Sequence, residues 1–134
     1  MALKNLVMAI SDQEAWEENI EKSENLLILL DCHQGWCGPS ESMNPTFQRI
    51  FMEYEDSDKR ILFRSVDLDV FKDNVDAMLP EDSGINLATQ GCMPFFILLR
   101  FKQACSVING ANAPELLRAV DLNIPDAPKE EEDM

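Results

Sequence analysis

Three strongly apolar stretches, residues 26–32, 61–68 and 95–101, stand out along the chain. Each is short, bounded by polar residues, and lacks the strict alternation of a half-exposed strand, so each reads as a strand buried on both faces. Residues 3–9 read as a further, shorter strand at the start. Between the strands the spacing changes to that of a helix. Ser11 and Glu14 have the form of a capping box, and Trp16 and Ile20 then share one face while Glu17, Glu18 and Glu21 point outward. Met43, Phe47, Ile50, Phe51 and Tyr54 recur at helical intervals, and Pro45 inside that pattern predicts a kink. Val70, Val75, Met78 and Leu79 predict a third helix over 70–79, followed by a loop at 80–84. Gln103-Ala104 reads as a turn into a short partner strand over 105–108. Pro114 marks the start of a last helix, with Leu116, Leu117 and Val120 facing inward.

The predicted order is β-α-β-α-β-α-β-β-α, an α/β fold with a mixed central sheet of about five strands flanked by about four helices. The first three strands read as parallel units and the last two as an antiparallel hairpin. Residues 1–122 are expected to form one domain and residues 123–134 an acidic tail too poor in apolar side chains to fold alone.

Composition narrows the partners. The chain has 134 residues, 46% of them hydrophobic, and a formal net charge of −14. Such acidity argues against nucleic acid and anionic membrane surfaces, and favours a protein partner with a basic face. No apolar run approaches the ~20 residues of a membrane helix. The N-terminal residues read as a strand rather than a signal peptide. Four cysteines at irregular spacing, Cys32, Cys37, Cys92 and Cys105, do not form a disulfide framework, which points to a reducing compartment.

The chemistry concentrates in Trp36-Cys37-Gly38-Pro39-Ser40, directly after the second strand. A strand running into a turn can expose a cysteine at a helix start, where the backbone dipole lowers the thiol pKa. A dithiol redox site places a second cysteine three residues on; here that residue is Ser40. Cys32, His33 and Cys37 invite a metal reading, but adjacent strand residues point to opposite faces and no fourth ligand appears. No metal and no small-molecule cofactor is expected. Cys32 and Cys105 read as packed structural cysteines, and His33 as a surface or half-buried side chain.

Taken together, the Trp-Cys-Gly-Pro turn, Asp31 six residues before Cys37, Pro45, Met93-Pro94 and Gly110 resemble the thioredoxin family over residues 3–122. The resemblance implies the thioredoxin fold, with Cys37 as nucleophile, Asp31 as a buried acid, and a cis bond before Pro94. It also implies a peptide groove formed by Trp36, Gly38, Pro39, Ser40, Met93 and Pro94. Gln34 to Pro39, Cys92-Met93-Pro94 and Gly110-Ala111-Asn112-Ala113-Pro114 are similar to a ciliary branch of that family. That branch comprises the thioredoxin-like light chains of axonemal outer-arm dynein and the thioredoxin domains fused to nucleoside diphosphate kinase modules. Ser40 and an extra segment between Asp69 and Cys92 depart from common thioredoxins.

The branch resemblance implies a light chain or structural subunit of a dynein assembly, in the cytoplasm and the axoneme of a cilium or flagellum. Its partners would be the dynein heavy chain or neighbouring axonemal subunits, and Cys37 could form a regulatory mixed disulfide. The alternative is a monothiol disulfide reductase or isomerase. A thiolate can attack a disulfide, but another thiol must then release the adduct, and a serine hydroxyl cannot. Glutathione, a substrate thiol or Cys92 could serve; the plain alternative for Cys92 is a semi-exposed small loop residue. Glutaredoxin-like iron–sulfur carriage fits less well, because Trp36 and Pro39 give the motif its thioredoxin form.

Overall fold

A computed structural model describes residues 6–35, 37, 41–91 and 93–126. Trp36, Gly38, Pro39, Ser40, Cys92, residues 1–5 and residues 127–134 lie outside the described residues. The elements follow in the expected order. They are β1 (Val7–Ala9), α1 (Gln13–Lys22), β2 (Leu27–His33), α2 (Asn44–Glu53), β3 (Ile61–Asp67), α3 (Leu68–Met78), β4 (Phe95–Arg100), β5 (Gln103–Asn109) and α4 (Ala113–Asn123).

The five strands form one mixed sheet in the order β1-β3-β2-β4-β5. β1 and β2 both pair with β3 in parallel, whereas β4 runs antiparallel to β2 and β5 antiparallel to β4. The continuous apolar runs follow from this order, because β2 and β4 have strands on both sides and helices over both faces. Alternate residues of β2 divide the core accordingly. Leu27 and Leu29 pack with Phe47 and Ile50 of α2 and with Leu116 and Val120 of α4. Ile28, Leu30 and Cys32 face the other way, toward Trp16 of α1 and Phe71 and Val75 of α3. Phe47 anchors the first layer, its ring 5.5 Å from that of Phe63 and 6.0 Å from that of Phe96.

Several boundaries differ from the sequence expectation, each for a local reason. Asp12, not Ser11, caps α1: its carboxylate accepts from the Ala15 N–H at 2.8 Å. An ionised cap also gains from the helix dipole. Pro45 does not kink a long helix but occupies the first turn of α2, after a 3-10 turn at Glu41–Met43. A proline costs nothing there, since its missing N–H would have no partner in that turn. α3 begins at Leu68, because Asp67 caps it by accepting from the Asp69 N–H at 2.8 Å. The β4–β5 turn is Phe101-Lys102, with φ of 57° and 68°, so Gln103 and Ala104 belong to β5.

That turn is held to α1. The Phe101 N–H donates to the Ser23 carbonyl at 2.8 Å and the Lys102 N–H to Ser23 Oγ at 2.8 Å. Register shifts between Leu98 and Leu99, opposite Ser106 and Ala104, making Cys105 the extra residue of a bulge. Cys105 is therefore exposed rather than packed in the core. At the other end of the chain, Asn112 caps α4 by accepting from the Glu115 N–H, and Arg60 Nε donates to the Pro125 carbonyl at 2.8 Å.

Candidate functional site

β2 and β4 bring the candidate residues to one end of the sheet. Cys32 of β2 is opposite Phe95 of β4, so the chain leaving β2 toward Cys37 emerges beside the chain entering β4 from Met93-Pro94. After β2 a tight turn follows, in which the Cys37 N–H donates to the Gln34 carbonyl at 3.1 Å. His33 is half-buried, and its Nδ1 lies 2.9 Å from the same carbonyl, fixing the start of the turn.

Gly35 is needed in this turn because of what it touches. A Cβ at this position would run into the Asp69 carboxylate and come within 2.9 Å of Asp67 Oδ1. The Cys37 loop therefore rests against two carboxylates from the β3–α3 junction. A cleft of about 320 Å³ beside it is lined by Gln34, Leu68, Asp69, Lys72 and Leu87. The acidic pair gives this side of the site a negative character, which suits an approaching basic segment.

The opposite side is apolar and braced by hydrogen bonds. Met93 is 52% exposed. The buried Gln90 side chain donates to the Met93 carbonyl at 3.2 Å and to Asn109 Oδ1 at 2.9 Å. The Gly110 N–H donates to the Pro94 carbonyl at 2.8 Å. Gly110 has φ of 89° and sits so near that a Cβ on it would contact Met93 Sδ at 3.8 Å. The Gly110 to Pro114 string thus turns the chain from β5 past the Met93 loop and into the Asn112 cap of α4. Gln90 is a site residue that sequence reasoning missed, since a lone glutamine in a loop carries no pattern.

One expectation fails here. Among the described residues no peptide bond is cis, so the Met93–Pro94 bond is trans, the form an X–Pro bond prefers by ~0.5–1 kcal/mol. The exposed Met93 and the Pro94 carbonyl still border the site. The described helical turns begin at Glu41, four residues beyond Cys37.

Asp31 is 1% exposed and, two residues on from Leu29 along β2, faces the α2/α4 side of the sheet. Cys32, also buried, projects to the α1/α3 side, so the two neighbours serve different layers. Burial pushes the Cys32 thiol well above its ordinary range and the Asp31 carboxylate adds to this, leaving it a poor nucleophile. The Cys105 thiol is raised as well, chiefly because the sulfur of this otherwise exposed residue is partly shielded from water where it donates to the Leu98 carbonyl at 3.3 Å. Both are free thiols, whereas Cys37 is disulfide-bonded. Among the described residues no group of three or more His, Cys, Asp or Glu side chains is disposed to hold a metal ion.

The thioredoxin family model matches residues 7–121, which spans both braces of this site. The chain belongs to the thioredoxin family. It is 26% identical to thioredoxin Asp f 29 of Aspergillus fumigatus over 118 residues, covering 88% of this chain and 96% of that protein. It is 22% identical over 114 residues to the dynein 14 kDa light chain of the flagellar outer arm of Chlamydomonas reinhardtii, covering 85% of this chain and 78% of that one. The fold superimposes on a thioredoxin h from Nicotiana alata with a TM-score of 0.65 at 24% identity, covering 90% of this chain and 94% of that one. In other relatives the matched region is part of a longer protein: it is 17% of a peptide-N(4)-(N-acetyl-beta-glucosaminyl)asparagine amidase of Caenorhabditis briggsae, 28% identical over 85% of this chain.

Proposed function

We propose that this thioredoxin-family chain is a light chain of an axonemal outer-arm dynein assembly, residing in the cytoplasm and the ciliary or flagellar axoneme. The observation that carries the reading is the similarity to the flagellar outer-arm light chain along most of both chains. Ser40 supports it, because a site without the usual second cysteine of the motif is poorly suited to general disulfide turnover. In this reading the surface bordered by Gln34, Asp69, Met93 and Pro94 receives a segment of the dynein heavy chain or of a neighbouring subunit. The net charge of −14 and the carboxylates of Asp67 and Asp69 favour a basic segment. Residues 1–122 form most of the docking domain, and residues 123–126 pack onto it rather than belonging to a separate tail: Asn123 ends α4, Ile124 lies against the core and the Pro125 carbonyl accepts from Arg60 Nε.

The second reading, a thioredoxin-type disulfide reductase attacking through Cys37, is favoured by the similarity to Asp f 29 over nearly its whole length. Crosslinking mass spectrometry on intact outer-arm dynein separates the two. A light chain gives reproducible links from Lys72, beside the cleft, to a heavy chain or an adjacent subunit. Links confined to this chain itself would contradict the proposal.

A further inference from the structure

We infer that the groove between α1 and α3 is a second docking site, which takes a basic amphipathic segment of a partner protein. The groove has a volume of about 650 Å³ and reaches from α3 to the start of β5. Its floor is apolar, made by Trp16, Ile20, Met78 and Ala104. The Trp16 ring is stacked on Phe71 at 5.7 Å, so the floor is anchored in the core and already shaped. Among the described residues, none that lines this groove also lines the cleft beside Cys37. β2 leads into the Cys37 turn, whereas β4, antiparallel to it, leads into Lys102 and Gln103. The groove therefore opens at the end of the sheet away from Cys37.

Polar side chains frame the groove and leave its floor open. Toward one end Asn74 Nδ2 donates to Gln13 Oε1 at 3.0 Å, and Gln13 Nε2 donates to Glu17 at 3.2 Å. At the other end Lys102 Nζ lies 3.4 Å from Glu21 and 3.8 Å from Glu24. The bordering helices are acidic. α1 carries four carboxylates and one lysine, and α3 three carboxylates and one lysine.

Charge selects the occupant. An acidic segment, or a second copy of this chain with its net charge of −14, meets like charge on both walls. A neutral apolar segment fills the floor and gains nothing at the rim. A helical segment with leucine- or methionine-like side chains on one face and lysine or arginine beside them satisfies both. Its apolar side chains lose water against Trp16 and Met78. Its cations pair with Glu17 and Glu21, which stand one turn apart on α1 and so present their carboxylates at the spacing of a helical partner. The pairs that Lys102 makes are solvent-exposed and weak, so an incoming cation displaces it readily.

Titration of the full isotope-labelled chain with a short amphipathic peptide of leucine and lysine, followed by NMR, tests the site. Saturable amide shifts centred on Ile20, Met78 and Ala104 are expected, with affinity falling as salt rises. The same peptide, scrambled so that its leucines no longer share a face, is expected to bind about tenfold more weakly, because apolar burial is lost at unchanged charge. Ala77→Arg, at an exposed position on the groove wall, is expected to weaken the amphipathic peptide about tenfold, by like charge and by filling the opening. Glu17→Gln should weaken it less and flatten the salt dependence. Equal binding of the two peptides, shifts centred on Asp69 and Met93 instead, or both substitutions without effect would overturn the inference. Concentration-dependent shifts at the same residues in the chain alone would also overturn it, by putting a second copy in the groove. The peptide comparison on the wild-type chain decides even if a variant fails to fold. This inference does not rest on the light-chain reading. A chain that binds the peptide but never joins dynein contradicts only that reading, and a dynein-bound chain whose groove ignores the peptide contradicts only this one.

Discussion

Asp31 and Tyr54 show how far individual side chains depend on their surroundings. Asp31 is buried at 1% exposure, as the thioredoxin resemblance implied. Tyr54 carried no such signal, since its partner comes from the far end of the chain. Its hydroxyl donates to Asp121 Oδ1 at 2.9 Å. Partial burial, and then this hydrogen bond, push its pKa up to about 12. The unfolded phenol ionises near ~10. Between those values the unfolded chain holds fewer protons than the native one, so this side chain's contribution to stability is intact below about pH 10 and is lost as the pH rises toward about 12. Tyr54 is the one tyrosine of the chain, so its ultraviolet titration can be read without overlap. A native midpoint well above that of the denatured chain is expected, and Asp121→Ala should lower it. Coincident native and denatured midpoints would remove the hydrogen bond from the account.

At the scale of elements, the hairpin of β4 and β5 holds the clearest local conflict. Phe101 and Lys102 both adopt left-handed backbone conformations, which cost a non-glycine residue ~1–2 kcal/mol each. They are held there by three hydrogen bonds to Ser23, two from the N–H groups of Phe101 and Lys102 and one from Arg100 Nη1. The ion pairs of Lys102 with Glu21 and Glu24 are solvent-exposed and contribute little. Lys102→Gly is therefore expected to stabilise the protein by about 1 kcal/mol in urea unfolding, because glycine suits the second position of such a turn. A loss of stability would show that the side chain's ion pairs outweigh the strain.

The same hairpin explains what could be read from the amino-acid pattern. The buried strands were legible because apolar runs at 26–32 and 95–101 have few other uses in a chain of this size. The turn was not, because Phe-Lys carries no turn signature and its geometry is set by Ser23 some eighty positions earlier. Asp67 hid the start of α3 for a related reason: one aspartate can end a strand and cap a helix at once. Pro45 was placed correctly in a helix but misread as a kink, since the pattern from Met43 ran through it. At the site, Cys37 and Met93-Pro94 were found by motif, whereas Gln90 is visible only through its hydrogen bonds.

For the whole molecule, two helical layers fix one sheet, and the sheet's β2/β4 end presents a single composite surface. One side is acidic, from Asp67 and Asp69, and the other is apolar, from Met93. Docking there against a basic partner should weaken with salt, since screening shortens to ~3 Å at 1 M ionic strength. The most direct measurement is sedimentation of outer-arm dynein released from axonemes at moderate salt, with this chain followed by antibody. A docked light chain migrates with the heavy chains and is missing from axonemes that lack outer arms. Its recovery at the top of the gradient as a small free protein, with equal amounts in both kinds of axoneme, would contradict the light-chain role.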